Sequence, residues 1–171
     1  MGWLPSKNPA QKPGNVYQGL RRNVLGLDPA TIGLAPTPEH PMVFAGLMEM
    51  GMEGGVASLV VIGDGTTSLY YSTGGGIIGA GLHESVKAPS RFFLSSLERH
   101  VKELAPDEPG HPTPAAGMTH LRALIFGGGH LLVAARGEEF GEKRHPLWEI
   151  FYAGHGVITA MRKLPQAPKH A

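Results

Sequence analysis

The sequence predicts one mixed α/β domain of the α+β kind, in which an antiparallel sheet of two hairpins packs against three helices. Two segments, 56–73 and 119–136, each show an apolar run, a glycine turn and a second strand-like run. Apolar residues recur at helical spacing before, between and after these segments. The expected order is therefore helix, hairpin, helix, hairpin, helix. A chain of 171 residues is long enough to bury one core of this size.

The first helix is predicted to begin at Thr37-Pro38-Glu39 and to run to about Met50. Proline is tolerated in a first helical turn, and the glycines from Gly51 onward favour a helix end. The apolar residues at spacings of three and four are Val43, Phe44, Leu47, Met48 and Met50.

The first hairpin is predicted from Val56–Ile62, which is apolar on both faces and is typical of a central strand. Gly63-Asp64-Gly65 provides the turn, and Thr66–Thr73 the returning strand. Tyr70 and Tyr71 alternate in direction along that strand, so we expect one of them to face away from the core.

A second helix is predicted over Glu84–Leu104, with Pro89 delaying or kinking its start. The long connection Ala105–Gly117 leads to a second hairpin formed by Thr119–Phe126 and His130–Arg136, which gives four strands in all. The last helix carries a core-facing apolar stripe from Leu147 to Met161. A second stripe, on another face, consists of Trp148, Tyr152, His155 and Thr159.

Three parts are expected along the chain: an arm rich in Pro and Gly at 1–36, the domain at 37–164 and a disordered tail at 165–171. Apolar residues from Val16 to Leu27 predict a short helix in the arm, docked on its own domain or on a neighbour. Met1–Ala10 has no apolar segment of the kind a secretory signal requires, which indicates a cytoplasmic protein.

Composition excludes several classes of function. The chain has no cysteine, so a disulfide framework, a thiolate nucleophile and a cysteine-held metal are excluded. The formal net charge is +1, far from the basic excess that nucleic-acid binding needs. The longest apolar runs are far shorter than the roughly 20 residues of a membrane span.

One glycine pattern, Gly74-x-Gly76-x-x-Gly79, matches a dinucleotide-binding loop. It follows a hairpin and lacks the parallel βαβ unit that such a loop needs, so a structural turn is the favoured interpretation. Asp64, at the first turn, is the other candidate for ligand contact. Seven of the nine histidines are nine or more residues apart, and no His-x-His pair occurs, so we predict neither metal nor cofactor.

The order of elements, together with the glycine turn in Val60-Val61-Ile62-Gly63-Asp64-Gly65, resembles the Roadblock/LC7 family and the wider profilin-like and longin-like group. The resemblance covers roughly 37–164. It implies a five-stranded antiparallel sheet, dimerisation through a sheet edge or the helix near 85–104, and service to small GTPases as scaffold or regulator. It implies no catalytic residues.

The resulting expectation is a noncatalytic protein-interaction or scaffold module, homodimeric, that docks a small GTPase or a larger assembly. Aromatic side chains bury much area at low entropic cost, so the candidate anchors are Tyr70, Tyr71, Trp148 and Tyr152. The alternative is a small-molecule or nucleotide sensor, or an enzyme, with its pocket at the glycine loop 74–81.

Overall fold

A computed structural model of the protein describes residues 13–165. This part of the chain forms a seven-stranded antiparallel sheet and four α-helices. The helices are α1 Pro13–Leu25, α2 Glu84–Arg99, α3 Gly137–Gly141 and α4 Trp148–Arg162. The strands are β1 Val43–Met52, β2 Gly55–Ile62, β3 Thr67–Tyr71, β4 Gly76–Ile77, β5 Ala105–Pro106, β6 Met118–Ile125 and β7 His130–Arg136.

The predicted α+β class with an antiparallel sheet is confirmed, and so are both predicted hairpins. Strand β2 pairs with β3, placing Ser58 opposite Tyr70, and β6 pairs with β7. The strand order is β4-β3-β2-β1-β6-β7-β5. The two added edge strands, β4 and β5, are only two residues long, which is why the sequence pattern did not predict them.

The predicted helix from Thr37 to Met50 is wrong, because this segment contains the central strand β1. Its neighbours are β2 on one side and β6 on the other. Helices cover both faces of the sheet, so nearly every position of β1 is apolar, and apolar spacings of three and four then occur without a helix. A four-stranded meander, β1 to β4, therefore precedes α2, and the topology that the Roadblock resemblance implies is not confirmed.

The core has two layers, one on each face of the sheet. Helices α2 and α4 pack on the first face through residues such as Phe93, Leu97 and Val157. Helix α1 and the segment that follows it cover the second face, where Tyr17 and Leu20 are buried. The helix of the N-terminal arm thus docks on the chain's own sheet. Residues 1–12 of that arm and the tail from 166 onward lie outside the described residues.

Close packing of α2 against β1 makes Gly46 a test of the corrected strand. A Cβ at Gly46 would lie 2.3 Å from Leu97 Cδ1 and 3.0 Å from Phe93 Cε1. We expect Gly46→Ala to lower the free energy of unfolding by about 1–3 kcal/mol through overpacking. Gly19→Ala is the matched control, because a Cβ there meets nothing within 4 Å and helix propensity should raise stability by up to about 1 kcal/mol. Chemical denaturation measures both, and an unchanged Gly46→Ala variant would contradict this packing.

Candidate functional site

The two predicted anchors on β3, Tyr70 and Tyr71, are not exposed at the surface. Tyr70 is 7% exposed and belongs to the core under α1, whereas Tyr71 packs partly buried against the core of the other face. Because both faces of the sheet are covered, the expectation that one tyrosine faces away from the core is wrong. Burial also raises the pKa of Tyr70 above its ordinary value.

The two predicted anchors on α4 lie at the surface. Trp148 and Tyr152 form an edge-to-face pair with ring centroids 5.5 Å apart. The Lys143 ammonium lies over both rings, 4.6 Å and 5.4 Å from their centroids. Tyr152 is exposed and Trp148 half-buried, so this small cation–aromatic group is accessible to a partner.

The residues proposed for ligand contact have local structural roles. The Asp64 carboxylate accepts a hydrogen bond from the Thr66 amide at 2.9 Å and closes the β2–β3 turn. Gly74, Gly76 and Gly79 have φ values of 111°, 151° and 74°, which favour glycine. At Gly76 a Cβ would also lie 2.1 Å from the Leu69 carbonyl oxygen, since β4 approaches β3 closely there.

A group of buried charges, which the sequence analysis missed, lies on the sheet face beneath α1. Its centre is Glu49 on β1, fully buried beside the fully buried Arg122 on β6. Arg21 on α1 donates to the same carboxylate through Nε at 2.9 Å and Nη2 at 3.0 Å. The Ser58 hydroxyl donates to Glu49 at 2.7 Å and lies 2.7 Å from the Tyr17 hydroxyl.

These contacts determine the charge of Glu49. Burial alone would raise its pKa, but the hydrogen bonds and charge of Arg21, together with the charge of Arg122, hold the pKa below its ordinary value of 4.5. Burial and the nearby carboxylate raise the pKa of Tyr17 to about 12. At neutral pH, therefore, Glu49 is ionised and Tyr17 is a neutral hydroxyl.

Arg122 links Glu49 to a second carboxylate, Asp107, in the connection after β5. Its Nε donates to Asp107 Oδ2 at 2.7 Å, and Asp107 Oδ1 accepts from the Glu108 amide at 2.8 Å. Burial opposes ionisation of Asp107, but Arg122 and His111 outweigh it and lower its pKa. Two carboxylates and two guanidinium groups thus balance in charge within one cluster.

Three histidines adjoin this cluster. His111 Nδ1 lies 2.7 Å from Asp107 Oδ2, and His130 Nδ1 lies 3.3 Å from His111 Nδ1. Burial lowers the pKa of His130, and the neighbouring His111 adds to the effect. His120 is buried opposite Glu49, and its Nδ1 has no hydrogen-bond partner. Burial, reinforced by Arg122, lowers its pKa too.

Two surface clefts on residues 13–165 are lined by residues outside the glycine loop 74–81. One, of about 690 Å³, opens beside the charge cluster between α1 and the 110–113 connection and is lined by Tyr17, Arg21 and His111. The other, of about 330 Å³, lies near β6 and α4 and includes Arg136 and His155. The first cleft gives solvent access to the edge of the histidine group.

Neither carboxylate of the cluster is free to act as a general base. A general base needs a free lone pair facing its substrate, whereas both cluster carboxylates are bound to guanidinium groups within the fold.

Comparisons of the chain with known protein families, curated proteins and solved structures find no match. Among residues 13–165, no helix combines the length and the apolar composition needed to cross a bilayer.

Replacing Glu49 should test the cluster directly. Glu49→Gln removes one of the two carboxylates that balance the buried Arg122, so we expect the free energy of unfolding to fall by about 3–5 kcal/mol. Glu53→Gln, in the exposed β1–β2 turn, is the matched control and should change little.

Acid should reveal the same interaction in the wild type. Because the folded pKa of Glu49 is lowered, its stabilisation is present above about pH 4.5 and is lost as the pH falls through the folded pKa. Urea unfolding at a series of pH values should thus show a steeper acid decline for wild type than for Glu49→Gln. Equal slopes would mean that folding does not lower the pKa of Glu49.

Proposed function

We propose that the protein is a noncatalytic interaction module that pairs with a second copy through the outer face of α2 and α4. One observation supports this proposal most strongly. Among residues 13–165, six large apolar side chains are exposed, and four of them lie on this helix layer or in the segment that enters α2. These four are Ile78, Leu82, Phe92 and Tyr152.

The exposure of these side chains is large. Leu82 is 85% exposed and Phe92 is 56% exposed, although Phe93, the next residue, is fully buried. Covering one such side chain contributes about 1.5–3 kcal/mol. Large apolar side chains that a fold leaves exposed are typical of a protein-binding surface where they are contiguous.

Charge along α2 favours a second copy of this chain as the partner. Glu84 is its first residue and Arg99 its last, and Phe92 lies at its middle. A two-fold axis near Phe92 would pair α2 with its symmetry mate in antiparallel fashion and place each Glu84 beside the partner's Arg99. The helix is therefore self-complementary, as a two-fold interface requires.

The sheet edges are less suited to pairing. Each edge strand, β4 or β5, has two residues, and Pro106 removes one of the few backbone donors on β5. Of the two dimer surfaces that the Roadblock resemblance implies, the helix is the better supported.

On the basis of the same resemblance, we propose a small GTPase or a larger assembly in the cytoplasm as a further partner. Trp148, with Lys143 over its ring, provides the aromatic anchor for such a partner, since Tyr152 belongs to the surface proposed for pairing. Tyr70 and Tyr71 are not included, because the fold covers them.

The alternative, a ligand pocket at the glycine loop 74–81, stays a prediction. A thermal-shift measurement with nucleotides tests it, because a nucleotide at 100 times its Kd would stabilise the fold by about 2.7 kcal/mol.

Sedimentation equilibrium over a range of concentrations tests the pairing. Wild type should approach twice the 18.1 kDa chain mass, and Phe92→Asp should weaken dimerisation by about tenfold or more, since it places a charge at the centre of the interface. Met52→Asp is the matched control, because Met52 is equally accessible but lies at the end of β1. A wild-type chain that stays monomeric at high concentration, or equal weakening by both substitutions, would refute the interface.

A further inference from the structure

Three potential metal ligands converge beneath the C-terminal end of α1. Asp107 and His111 come from the connection after β5, and His130 is the first residue of β7. The separations are 2.7 Å between Asp107 Oδ2 and His111 Nδ1, 3.3 Å between the two Nδ1 atoms, and 4.0 Å between His130 Nδ1 and Asp107 Oδ2. We propose that Asp107, His111 and His130 form a zinc-binding site.

The size of this triangle fits one tetrahedral ion. Zinc binds imidazole nitrogen and carboxylate oxygen at about 2.0–2.2 Å, so two ligands of a tetrahedral site lie about 3.3 Å apart. The three observed separations are distributed around that value. Small side-chain rotations would therefore bring all three ligands to bonding distance. Two imidazoles and one carboxylate, with water in the fourth position, are also a ligand set found in zinc sites.

The ring orientation of His130 supports the proposal. Its Nδ1 faces the other two ligands, 3.3 Å from His111 Nδ1 and 4.0 Å from Asp107 Oδ2. The His130 side chain is 13% exposed, so the surrounding residues restrict the ring to this direction. A histidine binds a metal through one ring nitrogen, as Nδ1 of His130 would here.

The other two ligands are also held in place from outside the triangle. Arg122 and the Glu108 amide orient Asp107, while Arg21 Nη2 donates to the backbone carbonyl of His111 at 2.7 Å. His111 itself has a φ of 49°, a left-handed conformation that few residues other than glycine adopt. The ligands are thus fixed by the fold before any ion binds.

Charge limits the expected affinity. Arg122 is next to Asp107 and repels a cation, although Glu49 on its other side offsets part of that charge. The His111 side chain is 37% exposed at the rim of the larger cleft, which gives an ion an entry path and leaves room for water as the fourth ligand. We therefore expect binding weaker than that of a site with a fully anionic environment.

Isothermal titration of the chelator-treated full chain with zinc chloride tests the site. Wild type should bind one Zn²⁺ per chain at this site, and His111→Ala and His130→Ala should each weaken binding by about tenfold or more. His83→Ala, an exposed histidine outside the cluster, is the matched control and should bind as wild type does. Co²⁺ in place of Zn²⁺ should give wild type, but neither ligand variant, the visible absorption of a tetrahedral cobalt site.

Circular dichroism of each variant separates loss of the site from loss of the fold. If the more buried His130→Ala unfolds, His111→Ala decides the question, because its side chain is partly exposed. The proposal is overturned if wild type binds no zinc, or if folded His111→Ala binds zinc as tightly as His83→Ala. The result does not depend on dimerisation, since the ligands lie on the sheet face opposite α2 and α4.

Discussion

The fully buried ion pair between Glu49 and Arg122 is the interaction on which the second face of the sheet depends. Each charge loses its hydration on burial, at a cost of several kcal/mol, and needs several partners to offset that loss. For Glu49 these further partners are Arg21 and the hydroxyl groups, and for Arg122 the further partner is Asp107. Helix α1 and the connection after β5 are thereby bound to the central strands by charge as well as by apolar contact.

Because of this dependence, helix α1 of the N-terminal arm has a structural role. Arg21 is on α1, so removal of the helix would leave Glu49 with one guanidinium partner and expose the face that Tyr17 and Leu20 cover. Part of the segment predicted as an arm therefore contributes to the stability of the sheet. The same argument applies to the connection after β5, where Asp107 is the second partner of Arg122.

The sequence was sufficient for elements whose signal is local. The hairpins follow from apolar runs and turn residues such as Asp64, and α4 from its apolar stripe; all three form as predicted. The error at β1 arose because a strand covered on both faces has no alternation to distinguish it from a helix. Glu49 is the one charged residue in this apolar run, and the fold buries it completely.

The charge cluster and the histidine group could not be predicted in this way, because their members are distant in sequence. Glu49 and Arg122 are 73 positions apart and meet only because β1 pairs with β6, a contact between the two halves of the chain. His111 and His130 meet because the connection folds back over β7. Spacing rules for metal ligands assume that one local element supplies them, so they do not reveal the proposed site, whose ligands come from two segments.

Side chains along the central strands alternate between the two faces of the sheet, so β1 and β6 contribute to the packing on both faces. On β1, Glu49 faces α1 while Met48 faces α2 and α4; on β6, Arg122 and Leu121 divide in the same way. Adjacent residues of one strand thus support a polar cluster on one side and an apolar core beneath a helix layer on the other. A substitution that perturbs the cluster without unfolding the sheet should leave the layer of α2 and α4 intact, because the cluster side chains lie on the α1 face of the sheet.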